Sequence, residues 1–208
     1  MQPNFLGQTP FQFAVIAKDF KVLKELFADF KLQALAQRDY LGENCLFECA
    51  RNGNEAIFNW FMGTNDFFKA RGTQNYKGRT IEHIVCMESQ HPIVDEINPR
   101  PDTPDYYGNL PLFYSLMLDD LPMLEKQFQH GKEYFTLRNY KYETVFHVAA
   151  RYNSLKSITF VIGRNVFITQ LLKRDYKGDT ALHLAAKAGS YEVLEFLCNS
   201  VTSSFLAM

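Results

Sequence analysis

One twelve-residue phrase recurs along the chain at nearly constant spacing, and this recurrence limits the fold more than any other feature. Its fullest form is Asp175-Tyr176-Lys177-Gly178-Asp179-Thr180-Ala181-Leu182-His183-Leu184-Ala185-Ala186. Asn139-Tyr140-Lys141-Tyr142-Glu143-Thr144-Val145-Phe146-His147-Val148-Ala149-Ala150 repeats it, and shorter versions open at Asn4, Asp39, Asn75 and Asp105. The glycine of the phrase falls at Gly7, Gly42, Gly78, Gly108 and Gly178, with Tyr142 as a substitute; the separations are 35, 36, 30, 34 and 36 residues. A period of this size marks stacked units, none of which can bury its apolar face alone.

Eleven residues after each of these positions comes a polar break: Lys18-Asp19, Gly53-Asn54, Ser89-Gln90, Asp119-Asp120, Asn153-Ser154 and Gly189-Ser190. Apolar stripes follow, such as Val22-Leu23 with Leu26-Phe27 and Ile158 with Val161-Ile162. Their i, i+1, i+4 spacing predicts amphipathic helices. On these motifs the sequence resembles the ankyrin-repeat family, whose signature T-P-L-H-x-A opens a turn and two helices in about 33 residues. Thr9-Pro10-Phe11 and Ala181-Leu182-His183-Leu184-Ala185-Ala186 carry the match most openly. The resemblance covers six copies, near 4–38, 39–74, 75–104, 105–138, 139–174 and 175–208. It implies an all-α ankyrin-repeat solenoid of helix-turn-helix units with β-turn or hairpin fingers.

Elementary physics supports that fold. Glycine at the anchor lets the turn take φ > 0. Threonine beside the helix start can cap free N–H groups. Ala14, Cys49, Ser115, Ala149 and Ala185 are small enough for paired helices to approach closely. Pro92 and Pro122 fall in the first turn of a second helix, where a missing N–H costs little. Asn98-Pro99-Arg100-Pro101-Asp102-Thr103-Pro104 reads as an extended bridge, because proline excludes helix there. The shared phase of the copies on both sides favours one domain over residues 1–208; a boundary at the bridge is the alternative.

Charge and composition exclude several classes. The 22 Lys and Arg balance 23 Asp and Glu, so no overall surplus of phosphate neutralisers exists and nucleic acid is not expected as a partner. Apolar residues at 47% exclude a disordered chain. No apolar run is long enough to span a bilayer, so membrane insertion is not expected. Four cysteines are too few for a disulfide scaffold, which points to a reducing, cytosol-like compartment and, for a secreted effector, to a host cytosol. The chain is expected to be monomeric in isolation.

Nothing in the sequence points to catalysis, a cofactor or a metal. His83, His147 and His183 recur at one position of the repeat, where the resemblance implies a structural histidine bonded to backbone in neighbouring turns. Cys45 and Cys49 occupy repeat positions that read as small core residues, and zinc would need further ligands at set spacing. A cysteine nucleophile, Cys49 or Cys86 beside a repeat histidine, is the remote catalytic alternative. The function expected is protein–protein recognition, by the concave strip of turn tips and first-helix ends that the resemblance implies. Its candidate contacts are Tyr76, Met87, Tyr106, Tyr107, Met117, Leu118, Tyr140, Arg151 and Tyr152. The tyrosine two residues before the anchor recurs in five copies, so packing along the turn row is the competing reading for Tyr76, Tyr106 and Tyr140. The apolar first copy and the tail 201–208, which resembles the lead-in to another copy, suggest a targeting or regulatory segment of a larger enzyme, membrane protein or effector.

Overall fold

The computed structural model describes residues 2–97, 102–164 and 168–206. The chain divides into two compact units, Met1–Tyr106 and Tyr107–Met208. The first holds α1 (Pro10–Ile16), α2 (Phe20–Ala34), α3 (Cys45–Asn52), α4 (Glu55–Met62), α5 (Phe67–Arg71), α6 (Ile81–Met87) and α7 (His91–Ile97). The second holds α8 (Pro111–Met117), α9 (Leu121–His130), a 3-10 turn (Lys132–Thr136), α10 (Val145–Tyr152), α11 (Leu155–Gly163), α12 (Ile168–Leu171), α13 (Ala181–Ala188) and α14 (Tyr191–Leu206). Each unit stacks three helix pairs, and the described residues form no strand, so the fingers are turns. Residues 98–101 of the expected proline bridge lie outside the described residues.

The first helix of each pair starts on a cap. Thr9, Thr80, Thr144 and Thr180 each close a capping box with the residue three positions on, which is Gln12, His83, His147 and His183 respectively. Each first helix stops at the polar break, where Lys18, Gly53, Ser89, Asp119, Asn153 and Gly189 all take φ between 50° and 72°. The second helix follows at once, often under a cap from the next residue: Asp19, Asn54 and Asp120 each accept from its first-turn N–H groups. Pro92 and Pro122 do lie in the first turn of α7 and α9.

Short helical turns missed by the periodicity fill three connectors: α5, α12 and the 3-10 turn. Cys198 lies within α14, which runs on to Leu206. Phenylalanine fills much of the core. Phe11, Phe47, Phe58 and Phe61 in the first unit, and Phe113, Phe135 and Phe146 in the second, are fully buried. Each such burial stabilises by roughly 1.5–3 kcal/mol. In the first unit Trp60 packs edge-on against Phe27 with ring centres 4.8 Å apart. The expected small positions are buried: Ala14, Cys49, Ser115, Ala149 and Ala185.

Candidate functional site: turn tips and inner-helix ends

Five of the turns are built by their first residue, a role not among those expected from the sequence. The side-chain oxygen of Asn4, Asp39, Asn75, Asn139 and Asp175 accepts backbone N–H bonds from residues two and four positions on. These are Asx-turn bonds. The anchor glycines then adopt φ of 74–84°, and Tyr142 is held at 59° in the copy that lacks glycine.

Successive turns are tied by one backbone bond each. The N–H groups of Tyr40 and Tyr76 donate to the carbonyls of Leu6 and Leu41 at 3.2 and 2.9 Å. Tyr106 reaches Lys77 at 3.0 Å, and in the second unit Tyr140 and Tyr176 reach Tyr107 and Lys141 at 3.1 and 2.9 Å. The rings lie against the preceding turn: a β-carbon on Gly7 would sit 2.6 Å from a ring carbon of Tyr40. Tyr76 covers Gly42, Tyr106 covers Gly78 and Tyr140 covers Gly108 in the same way, while their outer faces stay about two-thirds exposed. These tyrosines therefore pack on the scaffold and also present an aromatic surface.

The other candidates take separate places. Tyr107, Leu118 and Tyr152 are about half exposed, at 55, 52 and 49%. Met87 and Met117 are partly buried, and Met117 packs on the second unit's core. Arg151 is bonded to buried Glu143, whose other oxygen accepts from Asn139 at 2.7 Å. The first unit repeats the device: Arg51 reaches Glu43 at 2.6 Å and Glu48 at 3.0 Å, and Asn75 reaches Glu43 at 2.8 Å.

A recess of about 270 Å³ opens in the second unit, between the last two turns and the ends of α10 and α13. Lys141, Arg151, Tyr176, Lys177 and Lys187 line it, with Leu184 at its floor. Of the contacts expected from the sequence, Arg151 lines this recess.

The chemistry-bearing groups are held in unreactive states. Asp39, Glu43 and Glu48 lie close enough to share a cation, within 4.8 Å, but Arg51 bridges both glutamates and Gln12 donates to Asp39 at 3.0 Å. Burial raises the Glu48 carboxyl above the usual range against the opposing pull of Arg51. Burial also pushes the Cys45 thiol up to about 12 and Cys49 well above the ordinary thiol range. Neither supplies the thiolate a nucleophile needs. His147 is fully buried, accepts the Thr144 N–H at Nδ1 and reaches the Asp179 carbonyl from Nε2 at 3.0 Å. Burial lowers its pKa. It is structural, as its place in the repeat implied. Among the described residues no helix is long and apolar enough to cross a membrane.

A family model described as ankyrin repeats matches residues 117–204 with three copies. No curated protein sequence matches the chain. Among similar solved structures is a chain from the complex of a predatory endopeptidase from Bdellovibrio bacteriovorus with an immunity protein. It is 20% identical, with a TM-score of 0.77 over 93% of this chain and 98% of that one. At that identity the likeness shows the fold alone. Similar solved chains number 443, so the architecture by itself selects no partner.

Proposed function

From the premise that this chain is an ankyrin-repeat protein, we propose that it is a non-catalytic interaction module whose turn tips and first-helix ends grip a partner protein. One observation carries this reading: in the second unit, side chains scattered over residues 141–188, exposed Tyr176 among them, converge on one recess. Aromatic and arginine anchors inside a polar rim are what protein interfaces use. The solved neighbour comes from a two-protein complex, which fits. A reducing cytosol, or a host cytosol for a secreted effector, suits a chain whose Cys45, Cys49 and Cys86 are buried thiols outside any disulfide.

The test compares affinity capture by the full chain and by Tyr107→Ala/Leu118→Ala/Tyr152→Ala, which alters half-exposed side chains. A partner held by the wild type and released by the variant at equal melting temperature supports the reading. A wild-type chain that retains nothing above bare resin overturns it. A second reading, a targeting or regulatory segment of a larger enzyme, membrane protein or effector, is favoured by the exposure of Phe5, Leu6, Phe13 and Ile16 in the first repeat. Those groups would then pack against the rest of the parent protein.

A further inference from the structure

The charge of this balanced chain is unevenly placed. Residues 139–188 contain eight Lys and Arg (141, 151, 156, 164, 173, 174, 177 and 187) against three acids (143, 175 and 179). Two of those acids are turned inward and engaged. Asp175 is 7% exposed, and its Oδ1 accepts the N–H groups of Lys177 and Asp179 at 2.8 and 3.0 Å. Glu143 is 2% exposed and held by Arg151 and Asn139. That leaves the exposed ammonium groups of Lys141, Lys177 and Lys187 around the recess, with half-buried Asp179 as the remaining acid.

Size and surface narrow the occupant. At about 270 Å³ the recess falls just below the roughly 300–1,000 Å³ of small-molecule sites. It suits one or two side chains of an extended segment. Lys177 lies over the Tyr176 ring at 5.4 Å, so an aromatic face and the apolar floor at Leu184 sit beside the cations.

Resting on the reading above, we propose that this recess receives an acidic segment of the partner protein, with carboxylates on Lys141, Lys177 and Lys187 and an apolar side chain over Leu184. Opposite charges across such a rim also speed encounter and suppress wrong partners.

The test is fluorescence anisotropy of the full chain with a fluorescein-labelled peptide alternating glutamate and leucine, its glutamine counterpart and a single-stranded oligonucleotide. The glutamate peptide is expected to bind, to weaken as salt screens the charges, and to bind about tenfold more weakly to Lys177→Gln/Lys187→Gln. The charge-matched control Lys132→Gln/Lys156→Gln, away from the recess lining, is expected to leave it unchanged. Equal binding of the glutamine peptide, or equal loss in both variants, overturns the proposal. So does an oligonucleotide that binds more tightly and is released by the recess variant, because the site then selects phosphate. Failure here is separable from failure of the general reading. A captured partner that Lys177→Gln/Lys187→Gln still holds removes the acidic-segment proposal alone, whereas a wild type that captures nothing removes the interaction module.

Discussion

His147 and Asp179 lie one repeat apart yet share a hydrogen bond, from the imidazole Nε2 to the backbone carbonyl at 3.0 Å. Because Nδ1 accepts the Thr144 N–H, the ring is neutral with its proton on Nε2. Gln12 makes the same pair of contacts in the first repeat, accepting the Thr9 N–H and donating to the Glu43 carbonyl at 3.2 Å. Burial depresses the His147 pKa, so on acidification the unfolded chain takes up its proton first. This contribution is complete above about pH 6.5 and is lost as pH falls below it. Urea unfolding between about pH 7.5 and pH 5 should show that loss, and His147→Gln should flatten it. An unchanged slope in the variant would place the titration elsewhere.

The anchor glycines should differ in cost according to what covers them. Gly178 has φ of 84° and open space around a new β-carbon, so Gly178→Ala should lose about 1 kcal/mol through backbone strain alone. Gly42 also lies under the Tyr76 ring, 3.0 Å from the β-carbon position, so Gly42→Ala should lose more, about 2 kcal/mol. Tyr142 occupies the same left-handed turn without glycine, at φ of 59°, and Tyr142→Gly should gain about 0.5–1 kcal/mol. Denaturant midpoints rank the three; equal losses at Gly42 and Gly178 would discount the ring contact.

The Arg151–Glu143 pair should behave as a coupled unit. Arg151→Met leaves a buried carboxylate with Asn139 as its remaining side-chain donor, and should cost about 1–3 kcal/mol. Glu143→Gln in the same chain should restore part of that loss, because no unpaired charge remains. A double-mutant cycle checks this; strictly additive losses would show that the pair contributes no coupling.

Thiol titration distinguishes the cysteines. Cys45, Cys49 and Cys86 are buried and Cys198 is exposed, so in the native chain a thiol reagent should consume Cys198 readily and the other three only after denaturant is added. Fast native labelling of Cys49 would reopen a catalytic reading.

The repeat, the helix pairs and their caps were legible in the sequence, because periodicity and capping act within a few residues. The polar breaks were visible as breaks, but not their left-handed backbone at Lys18, Ser89 and Asp119, where no glycine marks it. Asp119 shows why. Its neighbour Asp120 caps α9, as an acid at a helix start should, while Asp119 itself accepts from Ser157 N–H at 2.8 Å at the start of the next repeat's α11. The Asx residue opening every turn was present six times and could have been read from the phrase alone, at Asn4, Asp39, Asn75, Asp105, Asn139 and Asp175. The short helices α5 and α12 gave no periodic signal, being too brief to show a face.

By itself, the sequence determined the unit: its period, the apolar face of each helix, the threonine caps and the glycine turns. Those depend on backbone sterics and on neighbours within one or two turns of chain. Only the tertiary structure decided which strip residues remain available. Glu143 and Arg151 sit in the same turn and first-helix end that carry Lys141, yet the first pair is engaged internally while Lys141 and Lys177 line the recess. Whether a charge is buried and paired depends on how the turn folds back over its own helix, which brings Arg151 to Glu143 across eight residues, and on the adjoining turn, as where Asn75 reaches Glu43 from 32 residues away.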